Sequence, residues 1–400
     1  MSLLPIDEAL ARVLAAARPV TETLTVPLLD ALGLVLAEDV IATIDVPPLD
    51  NSAMDGYALR ASEAGQALPV SQRIPAGAVG APLVPGTAAR IFTGAPIPDG
   101  ADAVVMQEDC TEVSGRVSVA GGVSAGQNIR PRGQDIAAGE TVLAAGRALR
   151  PQDMGLLASV GYHTVNVVRP LRVAVLSTGD ELTEPGSDDL REGAIYNSNR
   201  YTLAGLLRAL NMEFVDCGIV ADTPEATAQA LGDAAAGADC VISTGGVSVG
   251  EEDHVKAQVE RLGRLELWKL AIKPGKPLAF GSIGSTAFVG LPGNPTSVFV
   301  TFCLIARPLL LKMQGVVEAD PLRLHARAAF SVVRPGTRQE YLRVALENTA
   351  QGLTACRYAN QSSGVLSSVS HSNALAIIPA GTTVDQGDTV EVLLLDSIAR

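Results

Sequence analysis

The sequence predicts a multidomain α/β protein built around a doubly wound parallel sheet, and three observations carry that expectation. Between Leu171 and Met313 the apolar runs RVAVLST, MEFVDCGIV, DCVIST and LELWKLAIK alternate with segments of helical length, which is how βαβ units and a parallel sheet are written. From Asp50 to about Asp135 short apolar runs are broken by Gly and Pro, the texture of a compact β-rich unit. After about Glu318 the texture is all-β again.

Taken in order, MSLLPIDEALARVLAAARPV carries acids ahead of its apolar stretch. It reads as an amphipathic helix and lacks the basic start of a signal peptide. The first 45 residues or so read as two short helices and an extended segment that breaks at Pro47-Pro48. QALPVSQRIPAGAVGAPLVPGTAARIF reads as part of a β-insertion, after which the first unit resumes near Glu140. In the α/β stretch, helices are expected from about Asn199, after Pro224 and after Asp253. LPGNPTSVFVTFCLIARPLLLKM closes it, with Asn294 placed as an N-cap and Pro295 at the first helical position. RLHARAAFSV, EYLRVAL, GLTACRYA, ALAIIP and DTVEVLLL fit a small barrel or sandwich, and of the two we read a C-terminal β-barrel. The expected division is 1–45 with 138–168 as a discontinuous helical/extended domain, 46–137 as the β-rich insertion, 169–317 as the α/β domain and 318–400 as the barrel.

Composition narrows the function. The formal charge is -13 with no polybasic run and aromatics are 4%, which weighs against nucleic acid as a partner. No uninterrupted apolar run reaches 18 residues, so a membrane span is not expected. The five cysteines are scattered without a C-x-x-C pair, as fits reduced thiols in a cytoplasmic protein.

Four loops at expected strand ends carry chemistry. In STGDEL, Asp180 and Glu181 are placed to hold Mg²⁺ or accept hydrogen bonds, although turn capping uses the same residues. In STGGVSVGEEDHVK, Gly245, Gly246 and Gly250 let a ligand approach backbone N–H groups around Ser248, and Asp253 opens the next helix within reach of a cation. No Walker A or dinucleotide fingerprint is present. Lys269, Lys273 and Lys276 put three cations within eight residues, which points to an anion site; a solvated strand end is the alternative for each. Pro292, Gly293, Asn294 and Pro295 open a helix whose free N–H groups suit an anion, and plain capping stays open beside that. Asp55 and Thr93 lie in turn sequences, and Asp135 lies with Arg130 and Arg132 in a polar loop fit for a surface ion pair. His163, His254, His325 and His371 have no metal-ligand spacing. The residues alone reach an α/β enzyme for an anionic, nucleotide-like ligand with a divalent cation.

Eight segments in the same order carry a resemblance: NSAMDGYA (51–58), IFTGAPIPDGADAVVMQED (91–109), NIRPRGQDI (128–136), STGDEL (177–182), IYNSNRYTL (195–203), GGVSVGEEDH (245–254), KPGKPLAFG (273–281) and LPGNPTS (291–297). Together they resemble the molybdopterin molybdenumtransferase family, MoeA in bacteria and similar to the gephyrin E domain in animals. The resemblance implies an elongated four-domain homodimer whose α/β domain is MogA-like, that is, similar to the domain that adenylates molybdopterin. It implies a cleft completed by the partner's β-insertion, and a reaction of adenylated molybdopterin with molybdate that yields molybdenum cofactor and AMP. It further implies contact with the adenylating enzyme and with molybdoenzyme chaperones.

Residue by residue, the family's acids carry over to Asp55, Asp135, Glu181, Asp222 and Asp253, with Thr93 beside them. Its lysines carry over to Lys269 and Lys273, its loop prolines to Pro292 and Pro295, and its C-terminal Arg and Ser elements to Arg343 and Ser363, all implied as substrate or anion contacts. Mg²⁺ is implied at Glu181, Asp222 and Asp253. Glu252 departs from the family pattern, adding charge beside Asp253. Two rival readings are a molybdopterin adenylyltransferase, and a non-catalytic scaffold or cofactor carrier.

Overall fold

A computed structural model describes residues 3–187, 190–246, 254–350 and 352–399. Its largest sheet has seven strands: β1 (Leu3–Leu4), β2 (Arg172–Thr178), β3 (Glu213–Val220), β4 (Cys240–Thr244), β5 (Gly263–Leu270), β6 (Pro277–Ile283) and β7 (Thr286–Leu291), in the order β1-β5-β6-β7-β4-β2-β3. The helices that go with it are α1 (Ile6–Ala16), α2 (Ser198–Ala209), α3 (Pro224–Gly237), α4 (His254–Leu262) and α5 (Pro295–Thr301). A π-helical turn, Phe302–Ala306, carries α5 on into Arg307–Met313.

Strands alternate their side chains between two faces, and both faces of this sheet are covered. Val173 and Val175 of β2 enter one core with Leu203, Leu207 and α5, while Ala174 and Leu176 enter the other with Leu231, Val255 and Phe288. This is why β2 and β4 read as continuous apolar runs. β2 pairs parallel to β3 and β4, and β4 parallel to β7. β6 alone runs against both neighbours. It joins β7 through Gly284-Ser285, a connection too short for a crossover, with Gly284 at φ +58.

The first unit departs from the two-helix expectation. One α-helix forms, α1, and the second apolar stretch is instead the strand Thr23–Pro27, paired antiparallel with Thr164–Val168, before a single 3-10 turn at Leu28–Asp30. Thr23, Thr25 and Val26 are β-branched, and Pro27 stops a helix from starting through them. β1 and α1 belong with the large sheet: β1 pairs with Lys269 and Leu270, and Ile6, Ala9 and Val13 of α1 enter its core. The segments before and after the insertion meet, with Leu28, Leu36, Leu149, Leu157 and Val165 forming a shared core. The insertion holds a six-stranded sheet around Tyr57, Leu59, Ala89 and Ile91.

The C-terminal strands β8 (Arg323–Ala328), β9 (Gln339–Thr349), β10 (Gly352–Arg357), β11 (Ala374–Ile378) and β12 (Thr389–Leu394) run β9-β10-β8-β12-β11 and return to β9. They form a closed five-stranded barrel filled by Leu342, Val344, Ala376 and Val392. Ile272–Lys273 adds to it in parallel beside Gln339 and Glu340, joining barrel and α/β unit next to the KPGKP loop. Pro295–Met313 is long and apolar enough to cross a membrane, but 83% of it is buried inside the protein, as in a core helix.

Candidate active site

The ends of β2, β4 and β7 open into a cleft of about 870 Å³. Its floor is polar and close-packed. Thr244 Oγ1 donates to Ser177 Oγ (3.2 Å), which donates to Asn197 Oδ1 (3.4 Å). Asn197 is fully buried; its Oδ1 also accepts the Arg200 N–H, capping α2, and its Nδ2 donates to Glu184. One side chain thereby ties the β2 end to the first turn of α2. Gly245 sits at φ +85, and a Cβ there would lie 2.8 Å from the Thr178 carbonyl oxygen, so the turn after β4 needs glycine.

Three cations and one carboxylate line this cleft among the described residues: Lys273, Lys276 and Arg338 against Glu181. Lys273 Nζ is 3.2 Å from Glu340 Oε1 and is partly neutralised. Lys276 and Arg338 make no ion pair among the described residues. Arg338 comes from the barrel side and is steered by its Nη1, which donates to the Ile272 carbonyl at 2.9 Å. In a chain of formal charge -13, this is a local surplus of positive charge. The start of α5 faces the same space. Asn294 is exposed and its side chain caps nothing, while Asn199 Nδ2 holds the loop through the Gly293 carbonyl (2.8 Å). The arrangement suits an anionic ligand of nucleotide size.

Most of the sequence-derived residues converge here: Glu181, Gly245, Gly246, Lys273, Lys276, Pro292, Gly293, Asn294, Pro295 and Ser363 all line the cleft. Asp180 is exposed beside it without lining it, and Lys269 lies within β5 away from it. Asp222 stands in the turn between β3 and α3 and does not line the cleft either. Ser248, Gly250, Glu252 and Asp253 lie outside the described residues. Among the described residues no three His, Cys, Asp or Glu side chains form a metal cluster.

Arg343 departs from its expected role as an anion contact. It is 1% exposed, deep in the barrel wall, and donates to Ser368 Oγ and to the Tyr341 and Ser362 carbonyls. Burial pushes its guanidinium pKa down to about 10. Asp55 and Thr93 do meet, in the insertion: Asp55 Oδ1 accepts the Thr93 N–H (2.7 Å) and hydroxyl (2.8 Å). Those bonds, the backbone one foremost, hold the Asp55 carboxyl below its usual range, with Arg90 adding to them. Asp135 is exposed in the loop where Arg132 pairs with Asp45. None of Asp55, Thr93 and Asp135 lines the cleft of its own chain.

Sequence reasoning passed over Arg338, Asn197, Asn199, Ser297, Gln361 and Ser362, all of which line the cleft. The signal for the asparagines was available, since both lie in IYNSNRYTL at the start of a helix. Arg338 had a weaker one, a second arginine five residues before Arg343 in TRQEYLR.

A mixed α/β sheet, a helix start and a barrel around a cationic cleft define a multidomain α/β protein with a site suited to an anionic ligand. Comparison with known proteins specifies which. The family description "MoeA N-terminal region (domain I and II)" matches residues 4–161, "Probable molybdopterin binding domain" matches 174–312, and "MoeA C-terminal region (domain IV)" matches 325–395. The chain is 39% identical to the molybdopterin molybdenumtransferase of Haemophilus influenzae over 98% of both chains. It is 38% identical to that of Nostoc over 94% of this chain and 89% of the other. A molybdopterin biosynthesis MoeA protein from Pyrococcus horikoshii superposes with TM-score 0.87 at 32% identity, over 98% of this chain and all of that one. The chain belongs to the molybdopterin molybdenumtransferase family.

Proposed function

We propose that this protein is a cytoplasmic transferase of molybdenum cofactor biosynthesis that inserts molybdenum into molybdopterin, consuming adenylated molybdopterin and molybdate and releasing AMP. The observation that carries this reading is the cleft, where Lys273, Lys276 and Arg338 outnumber Glu181 at the strand ends of an α/β sheet. Both substrates are anions, and holding two anions together requires that surplus. Lys276 and Arg338 are placed to take the oxyanion or pyrophosphate oxygens, and Gly245 and Gly246 let phosphate approach the backbone closely. In the reaction a water positioned by molybdate forms the new bond to the phosphorus on the pterin side, the anhydride P–O bond breaks and AMP leaves with the bridging oxygen; the two pterin thiols then bind molybdenum, their protons leaving with one molybdate oxygen as water.

Mg²⁺ fits the donor set in the manner usual for phosphate enzymes, with one or two protein carboxylates and the rest from substrate oxygens and water. Glu181 would hold it at the cleft, with Asp222 and Asp253 the further carboxylates that the family resemblance implies. Bound there, the ion would screen pyrophosphate charge. Asp55, Thr93 and Asp135 stand apart from the cleft of their own chain, which supports a homodimer in which a second copy brings its insertion to the reaction.

Equilibrium titration with adenylated molybdopterin tests the assignment of the cleft. Lys276→Met should weaken binding ~10-fold, equivalent to roughly 1.4 kcal/mol, and flatten its salt dependence. Wild-type affinity in that variant would place the ligand elsewhere.

A further inference from the structure

Arg343 is a buried cation that makes no ion pair among the described residues. Burying an uncompensated charge is costly, so what it holds matters. Its Nε donates to Ser368 Oγ (3.1 Å), Nη1 to the Tyr341 carbonyl (3.2 Å) and Nη2 to the Ser362 carbonyl (3.4 Å). Its backbone joins in: the Arg343 N–H donates to Gln361 Oε1 (3.0 Å), and Gln361 Nε2 donates back to the Arg343 carbonyl (2.9 Å). Every one of these partners lies on β9 itself or on the stretch from Gln361 to Ser368.

That stretch is what the barrel presents to the cleft besides Arg338. Gln361, Ser362, Ser363 and Gly364 line it, yet they belong to no strand or helix that would fix them. On its other side the segment is tied to the α/β unit. The Ser363 carbonyl accepts the Thr296 N–H (3.0 Å), and the Val365 carbonyl accepts Thr296 Oγ1 (3.0 Å). The rim is therefore suspended between Arg343 in the barrel and the first turn of α5.

We propose that Arg343 is a positioning residue: it fixes the Gln361–Gly364 rim against the start of α5 and acts on the cleft only through that segment. The guanidinium donates from three separate nitrogens held in one plane, whereas a lysine ammonium offers its donors from a single atom and does not span the three oxygens. Ser368 is the second anchor. Fully buried, it accepts from Arg343 and donates to the Val365 carbonyl at 2.6 Å. The effect on ligand binding rests on the proposed function; the effect on the segment does not.

The experiment is hydrogen exchange on the full chain, paired with calorimetric titration of molybdate, for wild type, Arg343→Met, Arg343→Lys and Ser368→Ala. In Arg343→Met the amides of 361–366 should exchange at least ~10-fold faster, since hydrogen bonds from a charged donor are lost, while 273–277 stays as in wild type. Molybdate affinity should fall by a similar factor, and in turnover KM should rise with kcat within ~3-fold. Arg343→Lys should rescue little, and Ser368→Ala should quicken the same amides ~3-fold with every cleft group retained. Lost molybdate binding with unchanged exchange would make Arg343 a ligand contact and overturn the proposal. If Arg343→Met does not fold, Ser368→Ala decides alone, and wild-type exchange in it overturns the proposal. If wild type binds no molybdate, the reading of the cleft fails and exchange still decides the clamp.

Discussion

Gly245 and Gly246 adopt φ +85 and +65, and a Cβ on Gly246 would meet Val255 Cγ2 at 2.5 Å. Gly245→Ala should therefore cost about 1–2 kcal/mol in denaturant unfolding, the penalty of a left-handed alanine, and weaken substrate binding as the turn shifts. Asp55 behaves differently. Its bonds to Thr93 keep the carboxyl ionised well below neutral pH. Asp55→Asn should lower turnover at least ~100-fold, the range of a lost acid–base or electrostatic group. It should leave the melting temperature close to wild type, because the turn keeps its backbone; comparable turnover would remove Asp55 from the chemistry. At this scale the sequence was most legible where chemistry limits the choice of residue. Glycines after a strand, a lysine pair around Pro-Gly and the LPGNP turn all reached the cleft. Arg338 and Arg343 were not separable, because both are arginines of one short segment, TRQEYLR. Which one faces the cleft depends on the alternation of β9 and on the packing of a distant segment.

Helix starts show the same division at the scale of elements. Thr223 caps α3 with a side-chain oxygen that accepts the Ala226 N–H at 3.3 Å, whereas Asn294 stands at the start of α5 with no such bond. Thr223→Ala should cost about 1 kcal/mol, the usual worth of a cap, while Asn294→Ala should leave unfolding nearly unchanged and show its effect in ligand affinity. Equal destabilisation by both would mean that Asn294 serves the helix rather than the ligand. The α/β elements were readable because β2 and β4 are nearly unbroken apolar runs and α2, α3 and α5 begin at Asn197-Ser198, Pro224 and Pro295. The reversed β6 was not, since its two-residue connection leaves composition unchanged and alters only direction. The strand Thr23–Pro27 also escaped, because its partner lies about 140 residues away at Thr164–Val168, and pairing over that distance leaves no periodic trace.

Across the whole molecule, Arg169 bridges the first unit and the α/β unit. It bonds Glu22 at 2.7 Å and grips both oxygens of Asp239 at 2.9 and 3.0 Å. Burial pushes the Asp239 carboxyl up, but Arg169 and the Arg172 N–H outweigh it and leave the pKa below the usual value. A carboxyl depressed in the folded state adds stability above its unfolded pKa of ~3.9 and loses it as pH falls through the folded value. Asp239→Asn should thus lower the melting temperature by several degrees at neutral pH, and the gap should close as pH falls from the unfolded pKa of ~3.9 through the lower folded value. A gap independent of pH would assign the loss to packing. The α/β unit and the C-terminal barrel were visible in texture alone, whereas the attachment of β1 and α1 to the large sheet was not, because a two-residue strand carries no pattern.

Molybdenum insertion at the cationic cleft has a direct test. The direct measurement is AMP release from adenylated molybdopterin and Mg²⁺, with and without molybdate, by wild type and by the Lys273→Met, Lys276→Met double variant. Release should depend on molybdate in wild type, with active cofactor formed, and should fall at least ~100-fold in the folded double variant, as expected when charge stabilisation is removed. Release that ignores molybdate, or that survives loss of both lysines, would contradict insertion at this cleft.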